Sequence, residues 1–152
     1  MEAFVAAGAG FLLAVLWFDL MHDVQAHGPK SETELPEPVL ASISGYYARV
    51  TTGARPMNRL IAMAMLATLV AIAVEVAGGS QPPWLGWVSL LTAAAPIGLG
   101  ARRTVPNAIR LGTRRDDTTE QSRLARTILG DHLACFVAIT VLLTLQLGYA
   151  AQ

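Results

Sequence analysis

Four long apolar runs separate two polar, arginine-bearing stretches and one short turn rich in Gly and Pro. The first run, from Ala3 to Met21, meets a carboxylate only at Asp19, near its end. The others cover about 57–77, 84–101 and 128–149. As helices rising about 1.5 Å per residue, runs of this length reach across about 30 Å of hydrocarbon. The pattern predicts an all-α protein, an integral membrane four-helix bundle forming a single domain over 1–152. The third run is the shortest and contains Pro96, which predicts a kink where the proline leaves a carbonyl free.

The polar stretches, 22–56 and 102–127, carry structure of their own. Val39, Leu40, Ile43, Tyr46, Tyr47 and Val50 have helical spacing, predicting a short amphipathic helix that lies in the membrane interface between spans one and two, with the tyrosine pair as anchor. The third helix is expected to continue to about Leu111 with a bend at Pro106. The fourth is expected to start near Thr118, where Thr118 and Gln121 read as a capping box. Residues 27–37, with Gly28, Pro29 and four charges, read as a linker, and His27 within it as a solvated histidine. Glu75 reads as an interfacial carboxylate; Trp17, Trp84, Trp87 and Tyr149 read as interface belts. Gly8, Gly10, Gly98 and Gly100 read as helix-contact positions.

Composition agrees with lipid as solvent: 53% of residues are apolar and 14% charged, against about 45–50% and about 25% in soluble domains. The net charge of zero argues against nucleic acid as a partner. The placement of charge is more telling than its sum. All eleven Lys and Arg lie at Lys30, Arg49, Arg55 and Arg59 or between Arg102 and Arg126. Basic residues stay on the cytoplasmic side, so both stretches are expected inside, and both termini and the 78–83 turn outside. Met1-Glu2 supplies no positive n-region, so the first run reads as a retained span and not a cleaved signal peptide. Cys135 is the only cysteine, which excludes an intrachain disulfide and a cysteine cluster.

The polar residues inside or beside the spans are the candidate chemistry. Asp19, His22 and Asp23 stand at i, i+3 and i+4 on one face of the first helix. Asp131 and His132 fall at the same depth on the fourth, about 100° apart, so they line a cleft from two sides. Arg103, Asn107, Arg110 and Arg114 form a polar stripe on the third helix. Asp19, His22, Asp131 and His132 are the candidate catalytic groups, and Asp23, Arg103, Asn107, Arg110 and Cys135 the candidate ligand-binding groups. Carboxylates and imidazoles opposite guanidiniums leave three readings open: proton transfer on a small hydrophobic or aromatic ligand, ligation of a metal or haem, and an ion-pair clamp. Asp19, His22, Asp23, Asp131 and His132 are the candidate metal ligands, although their spacing matches no specific metal signature. The expected partners are the lipid bilayer and a second copy or a larger membrane complex, the last fitting a non-enzymatic accessory subunit.

The order of parts resembles the small four-helix bacterial membrane proteins grouped with anthrone oxygenases. The matching segments are Gly45-Tyr46-Tyr47 before span two, Val105-Pro106-Asn107 with Arg110-Leu111 after span three, and Leu124-Ala125-Arg126 through Asp131-His132-Leu133 at the start of span four. The resemblance implies the cytoplasmic (inner) membrane of a bacterial-type cell and oxidation of an aromatic substrate. A looser similarity of layout links the chain to HemJ-type protoporphyrinogen oxidases, which would imply haem on a first-helix histidine, here His22.

Overall fold

The computed structural model describes residues 2–28, 33–79 and 82–150. The protein is all-helical, with no strand among the described residues. Helix α1 spans Glu2–Asp23 and ends in a 3-10 turn, Val24–Ala26. Helix α2 spans Glu37–Tyr47 and passes through a π-helical turn, Ala48–Gly53, into α3, Arg55–Gly78. Helix α4, Pro83–Leu99, runs through a second π turn, Gly100–Thr104, into α5, Val105–Thr113; α6 spans Thr118–Ala150. Four helical stretches are long and apolar enough to cross a membrane: Glu2–Ala26, Asn58–Gly78, Pro83–Thr113 and Thr118–Ala150. They overlap the four runs read from the sequence, the third extending on to Thr113 and the fourth starting back at Thr118. The linker expected over 27–37 lies outside the described residues at 29–32, and the 78–83 turn at 80–81.

The helix ends follow local chemistry. Pro56 and Pro83 sit in the first turns of α3 and α4, where a missing N–H costs nothing. Gly79 ends α3 at φ 61°, a left-handed conformation that glycine adopts without a Cβ clash. The cap of α6 is one residue earlier than the expected Thr118–Gln121 box: Asp117 Oδ1 accepts the Glu120 N–H at 2.8 Å, and the Gln121 side chain instead donates to the Asp116 carbonyl at 2.6 Å. Asp is a strong N-cap because its short carboxylate reaches the N3 amide.

Two apolar cores are stacked along α1 and α6. One joins all four long helices through Val5, Ala9, Leu12, Ala71, Ile72, Ala93, Ile139 and Leu142. The other is built from the end of α1, α2, α5 and the first part of α6, including Leu20, Leu40, Ile43, Leu111, Leu124 and Ile128. Helix α6, about 50 Å long at 1.5 Å per residue, contributes to both. We call the end holding the second core and the arginines the basic end, and the other the far end.

The second core corrects the expectation for α2. Its apolar face does not lie outward on an interface. Leu40, Ile43 and Tyr47 are buried against α5 and α6, and the chain before α2 is tied to α6 by the Leu35 N–H donating to Ser122 Oγ at 2.8 Å. The face has an apolar partner within the chain, formed by α5 and α6. Of the glycines read as contact positions, Gly8 lies against Thr68, whereas Gly10, Gly98 and Gly100 have open space where a Cβ would stand.

Helices α2 and α5 approach closely at Gly112, where an added Cβ would stand 2.9 Å from the Ala48 backbone nitrogen. Backbone cannot rotate out of the way. Gly112→Ala is expected to lower stability by about 1–3 kcal/mol through overpacking. Gly130, on the exposed side of α6 with nothing within 4 Å of its Cβ position, is the contrast: Gly130→Ala is expected to raise stability by roughly 0.5–1 kcal/mol through helix propensity. Thermal unfolding of the two purified variants checks this; shifts in the same direction would refute the close packing of α2 on α5.

Candidate functional site

A polar layer separates the two cores. On α1, Asp19 and Asp23 are one turn apart, and Asp23 is 1% exposed. From α6, His132 enters between them, 8% exposed. Its Nδ1 stands 2.6 Å from Asp23 Oδ2, and its Nε2 stands 3.9 Å from Asp19 Oδ2. From α2, the Tyr46 hydroxyl donates to Asp19 Oδ1 at 2.6 Å and the Tyr47 hydroxyl to Asp23 Oδ1 at 2.5 Å. Three helices therefore meet on one imidazole and two carboxylates. The tyrosines are adjacent in sequence, so their side chains diverge by about 100°, which lets each reach a different carboxylate.

Asp131, 2% exposed, faces the other way. It accepts from both sides of the Arg103 guanidinium, with Arg103 Nε at 3.0 Å, and from Thr104 Oγ1 at 3.0 Å. Arg103 and Thr104 are consecutive yet bond the same carboxylate. The π turn that holds them is wider than an α turn, which reduces the angle between neighbouring side chains. Asp131 and His132 thus do point in different directions, one to α4–α5 and one to α1–α2. Cys135, one turn on, is buried with Sγ 3.8 Å from the Pro96 carbonyl oxygen.

The remaining candidates are placed elsewhere. His22 is half-buried at the rim; its Nδ1–H donates to the Phe18 carbonyl at 3.1 Å, and its ring lies flat on Tyr46 with centroids 3.9 Å apart. Arg110 pairs with Asp116 at 2.7 Å and Glu120 at 3.0 Å, and Arg114 with Glu37 at 2.7 Å, so these two arginines bind the turn before α6 and the start of α2, not the layer. Asn107 is half-buried on α5 and, among the described residues, bonds to none of the layer's side chains. The stripe read from the sequence divides after Arg103. Tyr46 and Tyr47, read as interface anchors, are instead donors to the carboxylates, and Thr104 was not singled out at all. The signal for the tyrosines was present: an adjacent pair on a helix entering the basic end, opposite an i, i+4 carboxylate pair.

Among the described residues, no group of three or more His, Cys, Asp or Glu side chains is arranged to hold a metal ion. Asp23 and Asp131 have both oxygens engaged by protein donors, which removes them as open ligands. Cavities of about 400 and 80 Å³ lie elsewhere, one against Thr119, Arg123 and Thr127 and one beside Glu75. No protein-family model, curated protein or solved structure matches the chain.

Burial first, and then the carboxylates of Asp19 and Asp23, push the Tyr46 and Tyr47 hydroxyls well above their ordinary value of 10.0. Both stay protonated and donating. A group whose folded pKa is raised contributes stability that is fully present below its unfolded pKa and lost as pH climbs through the folded value. This contribution should therefore hold up to pH 10.0 and fall above it. Tyrosinate absorbance, compared with Tyr46→Phe and Tyr47→Phe proteins, should rise together with loss of helical circular dichroism; ionisation of either hydroxyl in the folded protein near pH 10.0 would contradict the burial. Tyr47→Phe should also cost about 1–3 kcal/mol, because it leaves a buried carboxylate oxygen without a donor.

Proposed function

We propose that the protein is an integral membrane protein of the cytoplasmic membrane and that its polar layer is an acid–base centre acting on a small hydrophobic, aromatic molecule. The membrane reading is supported by the four apolar helices and by large apolar side chains exposed along them, among them Phe4, Met63, Leu66, Leu91 and Val137. The arginines lie toward the basic end, and the one lysine, Lys30, falls in the polar stretch of the sequence before α2, which supports a cytoplasmic placement of that end.

One observation carries the acid–base reading. His132 is held by a carboxylate on Nδ1 while its Nε2 stands 3.9 Å from Asp19, beyond hydrogen-bond distance. A Nδ1–H donated to Asp23 fixes the tautomer whose Nε2 carries a lone pair, the form that serves as a general base. Asp19 and its Tyr46 hydroxyl stand beside that nitrogen, and the Asp19 side chain is 17% exposed, which makes its edge of the layer the route of approach. The resemblance to anthrone oxygenases supplies the substrate class: a ring ketone with an acidic C–H, whose carbanion dioxygen converts to a quinone and water.

A second reading is favoured by the closure of the network. With Asp23 and Asp131 fully bonded, the layer also serves as a clamp that seats α1, α2, α4 and α5 on α6, as in an accessory subunit of a larger membrane complex.

Anthrone is the probe that separates the two. On the catalytic reading, membranes containing the protein consume anthrone and dioxygen to yield anthraquinone, and His132→Gln slows this by about 10²–10⁴-fold while the thermal midpoint stays near wild type. Wild-type turnover in His132→Gln would remove the base. A collapse of thermal stability in His132→Gln, with no turnover by either protein, would assign the layer to the clamp.

A further inference from the structure

The far end of the bundle contains a second buried carboxylate, one that the polar layer does not use. Glu75, in the last turns of α3, is 3% exposed, yet among the described residues neither of its oxygens meets a donor. It borders a cavity of about 80 Å³ together with Pro82, Pro83, Gly86 and Trp87. This lining is poor in donors. Pro82 and Pro83 have no N–H, and the Gly86 N–H is directed to the Pro82 carbonyl at 3.4 Å. One turn further along the same face of α4, Ser89 Oγ accepts the Gln146 Nε2–H at 3.0 Å, and Gln146 Oε1 is left as another buried acceptor without a donor. The chain's own α-amino group and Glu2 both act on Glu75 electrostatically, the first with positive charge and the second with negative.

Buried acceptors without donors are costly in an apolar surrounding, and a buried carboxylate more so. The group that would relieve them is positively charged, supplies N–H donors and tolerates an aromatic wall. Trp87, more than half exposed at the cavity's edge, offers an indole face to such a cation. A divalent metal matches poorly, since it takes six or more oxygen ligands or several carboxylates, and no such cluster occurs among the described residues. Since about 10–15 Å³ of such space holds one water, the cavity has room for a terminal –CH₂–NH₃⁺ group.

We propose that Glu75, Trp87 and the first turn of α4 form a binding site for a primary ammonium group, carried either by the headgroup of an aminophospholipid or by a free alkylamine. The lipid source rests on the membrane reading above; the free-amine source does not.

The test uses the full chain. In lipid-free detergent, calorimetry follows titration with ethylammonium, and with tetramethylammonium as the cation without N–H donors. In nanodiscs of mixed phosphatidylethanolamine and phosphatidylcholine, native mass spectrometry reads the lipid retained. Ethylammonium binding that Glu75→Gln weakens about tenfold or more, and Trp87→Leu about three- to fivefold, supports the site with a free amine. Selective retention of phosphatidylethanolamine, lost in Glu75→Gln, without ethylammonium binding in detergent, supports it with a lipid. Glu75→Gln removes a buried carboxylate without a hydrogen-bond donor among the described residues, and Trp87 is exposed, so both variants are expected to fold. Equal behaviour of wild type and Glu75→Gln with both probes would overturn the proposal. So would a wild-type response that appears only after acetylation of the chain's own α-amino group, which would assign that group to the carboxylate.

Discussion

Burying Asp23 imposes the arrangement of everything around it. A carboxylate at 1% exposure is tolerated only where donors replace its water. The Tyr47 hydroxyl and the His132 Nδ1 are those replacements, and they come from α2 and α6. Neither helix can withdraw without stranding the charge. The first helix is therefore bound to the last across 109 positions of sequence, and α2, which would otherwise be an isolated amphipathic segment, is drawn under the bundle. Asp131 repeats the logic on the opposite side, where Arg103 and Thr104 from the π turn satisfy its oxygens.

The polar layer also divides two packing regimes. On the far side, the long helices meet through small and medium residues such as Ala9, Ala71, Ala93 and Ile72, with Gly8 allowing α1 to lie against Thr68. Van der Waals fit governs such contacts when lipid is the alternative neighbour. On the basic side, Leu40, Ile43, Leu111, Leu124 and Ile128 form a core of the kind that water drives together, each fully buried Leu or Ile contributing roughly 1.5–3 kcal/mol. Arg110 and Arg114 seal its edge by pairing with Asp116, Glu120 and Glu37. These exposed pairs contribute little energy individually and act mainly on the path of the turn before α6.

Chemically, the layer and Glu75 are opposites. In the layer the oxygens of Asp23 and Asp131 all have donors, while His132 Nε2 stands 3.9 Å from Asp19, beyond hydrogen-bond distance. Around Glu75 and Gln146, by contrast, buried acceptors lack donors among the described residues.

The helices were legible from the sequence because helix formation and apolarity are local. Runs such as 57–77 and 128–149 state their own length, and Pro56, Pro83 and Gly79 state where helices begin or end. The common depth of Asp19, Asp23, Asp131 and His132 was legible too, because 1.5 Å per residue converts position into height. Which groups bond was not. The apolar spacing of α2 is the same whether its face meets lipid or the Leu111–Leu124 core, and the adjacent tyrosines read equally as anchors or as donors. Glu75 looked interfacial from its place near a helix end, but the close approach of α4 at Gly86 buries it. The sequence by itself determined how many helices there are, where they run and which residues lie at one level. The tertiary structure alone decided their partners, because a side chain's partner depends on rotation about the helix axis, and that rotation is set by contacts with residues distant in the chain.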